Sequence, residues 1–116
     1  MISGIFSAQF ITNQKTGGPG VAVFSGNVVH GGDALGYFRG KYNLDERNLI
    51  SGTIEVFKYP HNSTHKLVYD KDNFELILNG HEIVNDKEFE LSGQVVGDPK
   101  ECITIVLKKI DDLIEA

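Results

Sequence analysis

The chain has 116 residues, of which 41% are apolar and 23% are charged, and its net charge at neutral pH is −5. This length fits one domain over residues 1–116, and the apolar content predicts a folded protein with a core of its own rather than a disordered chain. The acidic charge argues against direct nucleic-acid binding, because the usual basic footprint is missing.

The cysteine content and the apolar runs bear on the compartment. Cys102 is the single cysteine, so no internal disulfide can form, which favours a reducing environment. The first residues lack the basic region and long apolar run of a signal peptide, and no run approaches the roughly 18 apolar residues of a membrane span. We therefore predict a cytoplasmic protein.

Period-two alternation, β-branched residues and aromatic residues predict short strands, separated by turns rich in Gly, Asn, Asp and Pro. The longest irregular segment covers residues 59–73 and is predicted to contain a short strand around residues 67–69. Ile110, Leu113 and Ile114 fall at helical spacing and predict a short C-terminal helix. The main predicted strands, in chain order, are residues 4–11, 20–25, 28–30, 35–42, 49–58, 74–79, 88–96 and 102–108.

About eight short strands with almost no helix predict an all-β fold. Sequential hairpins favour an antiparallel up-and-down β-barrel, which has no exposed sheet edge. Gly36 and Gly40, inside the fourth predicted strand, are expected to mark bulges or sharp corners of the sheet.

A barrel of about eight strands has an interior that side chains just fill or that holds one small ligand. The candidates for the inward face either pack as an ordinary core or line a site for a small apolar ligand. By alternation they are Phe6, Phe10, Val21, Val23, Ile54, Phe89 and Leu91.

The histidines and the cysteine are the first residues to test for chemistry. His61 and His65 lie close in sequence, but zinc sites usually need three or four ligands, so we predict a solvated loop and no metal. His30 beside Asp33 suggests acid–base chemistry; alternatively Asp33 caps a turn with its side-chain oxygen, which we favour. Cys102 is predicted to be buried and therefore inert.

No other segment carries a catalytic or cofactor signature. Residues 17–20 (Gly-Gly-Pro-Gly) lack the spacing of a phosphate-binding loop and precede a predicted strand rather than a helix. No Ser-His-Asp or Cys-His arrangement can be argued, so we predict neither a cofactor nor an enzyme. Asp45, Glu46 and Arg47 remain: this charged loop either docks a basic partner or is a solvated hairpin tip.

The order of motifs in the first 40 residues resembles the GrlR-type negative regulators of type III secretion. The resemblance continues more weakly through residues 69–78 and 90–106, so it covers most of the chain. The motifs that carry it are GIFS (4–7), FITN (10–13), GV (20–21), GNVVHGGDA (26–34) and YFRG (37–40).

The resemblance implies an eight-stranded, lipocalin-like barrel with an apolar interior, often a homodimer. It also implies repression by binding a transcriptional activator rather than DNA. In that family a surface Glu-Asp-Glu-Asp loop holds the activator, and the matching residues here are Leu44, Asp45, Glu46 and Arg47. Only the middle two are acidic, and Arg47 reverses a charge, which would alter specificity.

Two functions are therefore expected. The leading hypothesis is a non-enzymatic regulator that binds a protein partner through Asp45 and Glu46. The alternative is a carrier or sensor that holds a small apolar ligand inside the barrel.

Overall fold

A computed structural model of the chain describes residues 2–12, 16–60 and 73–114. Eight antiparallel strands form one sheet that closes on itself in chain order, because β8 pairs back with β1. The all-β, up-and-down barrel predicted from the sequence is therefore confirmed. The strands are β1 (Gly4–Ile11), β2 (Thr16–Ser25), β3 (Val28–Gly32), β4 (Gly36–Leu44), β5 (Leu49–Lys58), β6 (Asn73–Val84), β7 (Glu88–Val95) and β8 (Asp98–Asp111).

Three strands extend into segments for which the sequence predicts a loop or turn. β2 begins at Thr16, β6 continues through Gly80, and β8 begins at Asp98. Gly80 is a strand residue because its missing side chain lets β7 come close: a Cβ there would overlap the Glu90 carbonyl oxygen and the Leu91 side chain. The short strand predicted around residues 67–69 lies outside the described residues.

Neither Gly36 nor Gly40 marks a bulge, so that part of the expectation is wrong, and Gly40 marks a close approach of strands. β4 pairs with β3 and with β5 without any shift of register. A Cβ on Gly40 would overlap the Thr53 carbonyl oxygen and the Ile54 side chain. Gly40 is therefore required by the packing of β4 against β5.

The predicted C-terminal helix is not seen. Ile110 belongs to β8, which continues to Asp111 opposite Ile5 of β1, and residues 112–114 have no regular structure. Ile110 is 60% exposed and Ile114 is 98% exposed. A helix this short needs an apolar face packed on the protein, and pairing with β1 satisfies the backbone of this segment instead.

Aromatic rings occupy the centre of the barrel. Phe6 is completely buried, and its ring packs edge-on against Phe24 at 5.3 Å and against Phe89 at 5.7 Å between ring centroids. Phe24 in turn packs edge-on against Tyr42 at 5.3 Å. Edge-to-face pairs at such distances are favourable beyond the area they bury, so these rings connect β1, β2, β4 and β7 through the core.

Tyr42 attaches the start of the chain to one end of the barrel. Its hydroxyl accepts the backbone N–H of Ile2 at 3.1 Å and lies 2.8 Å from the Gly26 carbonyl oxygen and 2.9 Å from that of Ile2. The hydroxyl has one proton and donates it to one of these carbonyls. Ile2 is thereby held with its side chain in the core.

Replacement of Tyr42 by Phe should lower the free energy of unfolding by about 1–3 kcal/mol, because the buried N–H of Ile2 loses its acceptor. Burial raises the pKa of Tyr42 above its ordinary value of 10.0, and the hydrogen bond with Ile2 lowers it by less. The raised pKa of Tyr42 contributes to the free energy of unfolding. This contribution is fully present below about pH 10 and is lost as the pH rises through the pKa of Tyr42 in the folded state. Urea unfolding of both proteins between neutral pH and pH 11 measures both effects.

Tyr37→Phe is the matched control, because Tyr37 lies on the outer face of β4 and is 39% exposed. We expect it to change stability by less than about 0.5 kcal/mol. A loss equal to that of Tyr42→Phe, or the same alkaline loss in wild type and Tyr42→Phe, would contradict the assigned role.

Candidate functional site

The loop between β4 and β5, residues 45–48, is built around the Asp45 carboxylate. Its Oδ1 accepts the backbone N–H of Arg47 at 2.8 Å and that of Leu49 at 3.0 Å. The backbone adds two bonds of 3.0 Å, from Asp45 N–H to the Leu49 carbonyl and from Asn48 N–H to the Asp45 carbonyl. Asn48 takes the left-handed conformation, with φ of 61°, which asparagine tolerates better than most residues. The loop is therefore a defined turn.

The predicted partner-binding residues Asp45, Glu46 and Arg47 are thus brought together, and all three are exposed. Leu49, directly after the loop, is 46% exposed. The loop offers two carboxylates, one guanidinium and one apolar side chain to a partner. Sequence reasoning did not assign the structural role of Asp45, although aspartate often accepts hydrogen bonds from backbone N–H groups shortly after it.

The predicted interior residues divide into two groups. Phe6, Ile54, Phe89 and Leu91 are buried, and Phe10 is partly buried against the same core.

The inward assignment of Val21 and Val23 is wrong. Val21 is 43% exposed and Val23 is half-buried, whereas Ala22 and Phe24 between and beside them are buried. Paired residues of neighbouring strands lie on the same face of a sheet, and the partner of Phe6 is Ala22. The large Phe6 ring therefore lies beside a small residue, and the valines face outward.

The interior leaves little space for a ligand. One apolar cavity of about 30 Å³ lies among Phe24, Phe38 and Tyr42. A second, of about 50 Å³, lies near Phe10 and Phe74. A cavity of about 150 Å³ is needed to hold a molecule as small as benzene, so each cavity is too small for an apolar ligand in this conformation.

The remaining candidates for chemistry from the sequence are Asp33, Cys102 and the histidines His61 and His65. Oδ1 of Asp33 accepts the N–H of Leu35 at 2.8 Å and that of Gly36 at 3.2 Å, so the predicted turn cap is confirmed. Cys102 is exposed, so its predicted burial is wrong: it lies on the outer face of β8, next to the buried Ile103. His61 and His65 lie outside the described residues. Within residues 2–12, 16–60 and 73–114, no three His, Cys, Asp or Glu side chains are grouped as metal ligands.

Arg39 of β4 is partly neutralised by its neighbours. The guanidinium of Arg39 lies 3.5 Å from a carboxylate oxygen of Glu55 and 5.2 Å from the centroid of the Phe57 ring. Phe57 also stacks on Tyr37. Arg39 therefore belongs to a cluster of mixed charge on the outer face of the sheet and adds little to any basic patch.

No protein-family model matches the chain, and no curated protein matches it. In the part of the chain that the structure describes, no helix is long and apolar enough to cross a membrane. The resemblance to the GrlR-type regulators therefore stays a prediction from the sequence motifs.

Replacement of Asp45 by Ala should destabilise the protein by about 1 kcal/mol, because two backbone N–H groups lose their acceptor. Asp45→Asn keeps an oxygen at that position and should cost less than half as much. Glu46→Ala is the control and should be within about 0.5 kcal/mol of wild type, as for an ordinary surface position. Thermal and urea unfolding of the three variants tests this order, and equal stability of Asp45→Ala and wild type would contradict it.

Proposed function

We propose that the chain is a non-enzymatic cytoplasmic regulator that binds a protein partner, a transcriptional activator, through the loop at residues 45–48. The observation that supports this most directly is the geometry of that loop. Its backbone is fixed by the Asp45 carboxylate, while Glu46 and Arg47 are exposed at its tip. A loop that is ordered before binding loses less conformational entropy when a partner docks on it.

The charges of the loop indicate what a partner must carry. Asp45 and Glu46 favour a basic side chain opposite them, and Arg47 favours an acidic one. Such opposite charges raise the rate of association and select among partners more than they raise affinity. In the family that the sequence resembles, the four positions that match residues 44–47 are all acidic. The partner proposed here therefore differs from the family's activator by an acidic contact complementary to Arg47.

The net charge of −5 further supports a protein partner over direct contact with DNA. A phosphate backbone repels an acidic surface, whereas a DNA-binding activator presents basic residues that this surface attracts. Sequestration of such basic residues is a physical route to repression that needs no catalysis.

Affinity capture from the lysate of the native host tests the site. The double variant Asp45→Asn/Glu46→Gln removes both charges and keeps the oxygen that orders the loop. We expect wild type to retain a transcription factor, identified by mass spectrometry, and the double variant to lose it. Glu55→Gln is the control at another exposed carboxylate of the barrel and should retain it.

Equal capture by wild type and the double variant would exclude the loop as the site. If wild type captures no transcription factor, the proposal that the protein is a regulator is contradicted.

The alternative function, transport or sensing of a small apolar ligand, gains no support from the cavities of about 30 and 50 Å³. We expect native mass spectrometry of the purified protein to give the mass of the polypeptide without a bound lipid or other small molecule. An organic extract of the same sample serves as the control for ligands lost in the spectrometer. A small molecule found in stoichiometric amount would favour the carrier over the regulator.

A further inference from the structure

The end of the barrel that carries the loop at 45–48 also exposes three large apolar side chains on neighbouring strands. Leu49 is 46% exposed, Ile83 is 49% exposed and Val84 is 44% exposed. Leu49 pairs with His81 across β5 and β6, and Ile83 follows His81 by two residues along β6. We call Leu49, Ile83 and Val84 the apolar shelf.

An irregularity in β6 exposes two consecutive members of the shelf. Glu82 pairs with Phe89 and Val84 pairs with Glu88, so Ile83 is the extra residue of a β-bulge. Regular alternation would turn one of two neighbouring residues inward, whereas a bulge redirects side chains and is common beside binding sites. Ile83 and Val84 are consequently both exposed.

The strand end that carries the shelf is held in place by hydrogen bonds. Oε1 of Glu82 accepts the N–H of Asp86 at 3.0 Å, and the Val84 carbonyl accepts the N–H of Lys87 at 2.9 Å. The Lys87 carbonyl accepts the N–H of Lys109 from β8 at 2.7 Å. The shelf is therefore presented on an ordered hairpin that is connected to the rest of the barrel.

Acidic residues surround the shelf. Glu88 lies opposite Val84, and Glu90 lies opposite His81 on the other side of β6 from Leu49. Asp45 and Glu46 precede Leu49 on the opposite flank. The loop at 45–48 together with residues 82–90 carries six carboxylates and two cations, Arg47 and Lys87, and one further cation, Lys108 of β8, lies opposite Glu88. Carboxylates therefore outnumber cations around the shelf.

We propose that the apolar shelf is the docking surface for a basic amphipathic helix of the partner, with its apolar face on the shelf and its Lys or Arg residues against the surrounding carboxylates. This rests on the proposed function, because it names the chemistry of the partner bound at the same end of the barrel. The carboxylates around the shelf, which we call the acidic rim, favour this occupant. They repel a second copy of this acidic chain and attract a cationic helix. Helices of this kind dock through apolar residues three and four positions apart.

The probe for the test is a fluorescent Leu–Lys peptide, LKKLLKLLKKLLKL, which forms a helix with one apolar and one basic face. Fluorescence anisotropy should show saturable binding that weakens as salt increases, because the rim charges are exposed. Binding should shift the backbone amide signals of residues 49, 83 and 84. Neither the peptide with Glu in place of Lys nor a scrambled peptide without an apolar face should bind.

Two double variants separate the apolar contact from the charges. Leu49→Ser/Ile83→Ser should raise the dissociation constant at least about tenfold, as loss of central apolar contacts does. Glu88→Gln/Glu90→Gln should also weaken binding and should reduce its salt dependence. Ile77→Ser is the matched control, because Ile77 is an outward residue of β6 with a similar exposure of 45%, and it should bind as wild type does.

The proposal is overturned by any of three results: no saturable binding of the Leu–Lys peptide up to about 0.2 mM, equal binding of the scrambled peptide, or equal weakening by Ile77→Ser. Urea unfolding of each variant establishes that it is folded. The outcome is independent of the capture experiment. If Asp45→Asn/Glu46→Gln loses a captured transcription factor but the peptide does not bind the shelf, the proposed regulator is supported and the shelf is excluded as a docking surface. If the peptide binds the shelf but wild type captures no transcription factor, the shelf is supported and the proposed regulator is contradicted.

Discussion

The pairing of β1 with β8 is the constraint on which the rest of the structure depends. Residues 5–11 of β1 pair with residues 104–111 of β8, which converts a series of hairpins into a closed sheet. Closure gives the backbone N–H and C=O groups of the first and last strands hydrogen-bond partners. It also brings the inward side chains of every strand into one core. Phe6 can then contact Phe24 and Phe89, although these rings come from distant parts of the chain.

Closure in an up-and-down order also decides which connections share an end of the barrel. The loop at 45–48, the β6–β7 turn and the start of the chain at Ile2 all lie at the end where β1 begins, since alternate connections fall on the same side. The interior is filled by side chains, so the exposed ends and the outer face remain for interaction. Of these, the end with the loop at 45–48 combines fixed backbone, exposed apolar side chains and an excess of carboxylates over cations in residues 45–48 and 82–90.

Several features of this arrangement could be predicted from the sequence because they are local. Alternation along one strand places Phe89 and Leu91 on one face whatever the neighbours are. An aspartate beside a turn has its acceptor within reach of nearby backbone N–H groups, which is why Asp33 was assigned correctly. The charged residues 45–47 were identified as a loop because they separate two apolar alternating runs, and the loop's exposure follows from that.

The sequence by itself determined the number of strands, their order and the hairpin connections, since these depend on turn residues and period-two patterns. Where the local pattern allowed two faces of a strand to be buried, or allowed either a helix or a strand, only the tertiary structure decided between them. In β2 either face is apolar, and the pairing of Ala22 with Phe6 turned Val23 outward. Ile110 suits a helix or a strand, and β1 offered a partner for a strand. The shelf likewise depends on a bulge at Ile83. In each case the deciding contacts come from a neighbouring strand that the local pattern does not specify.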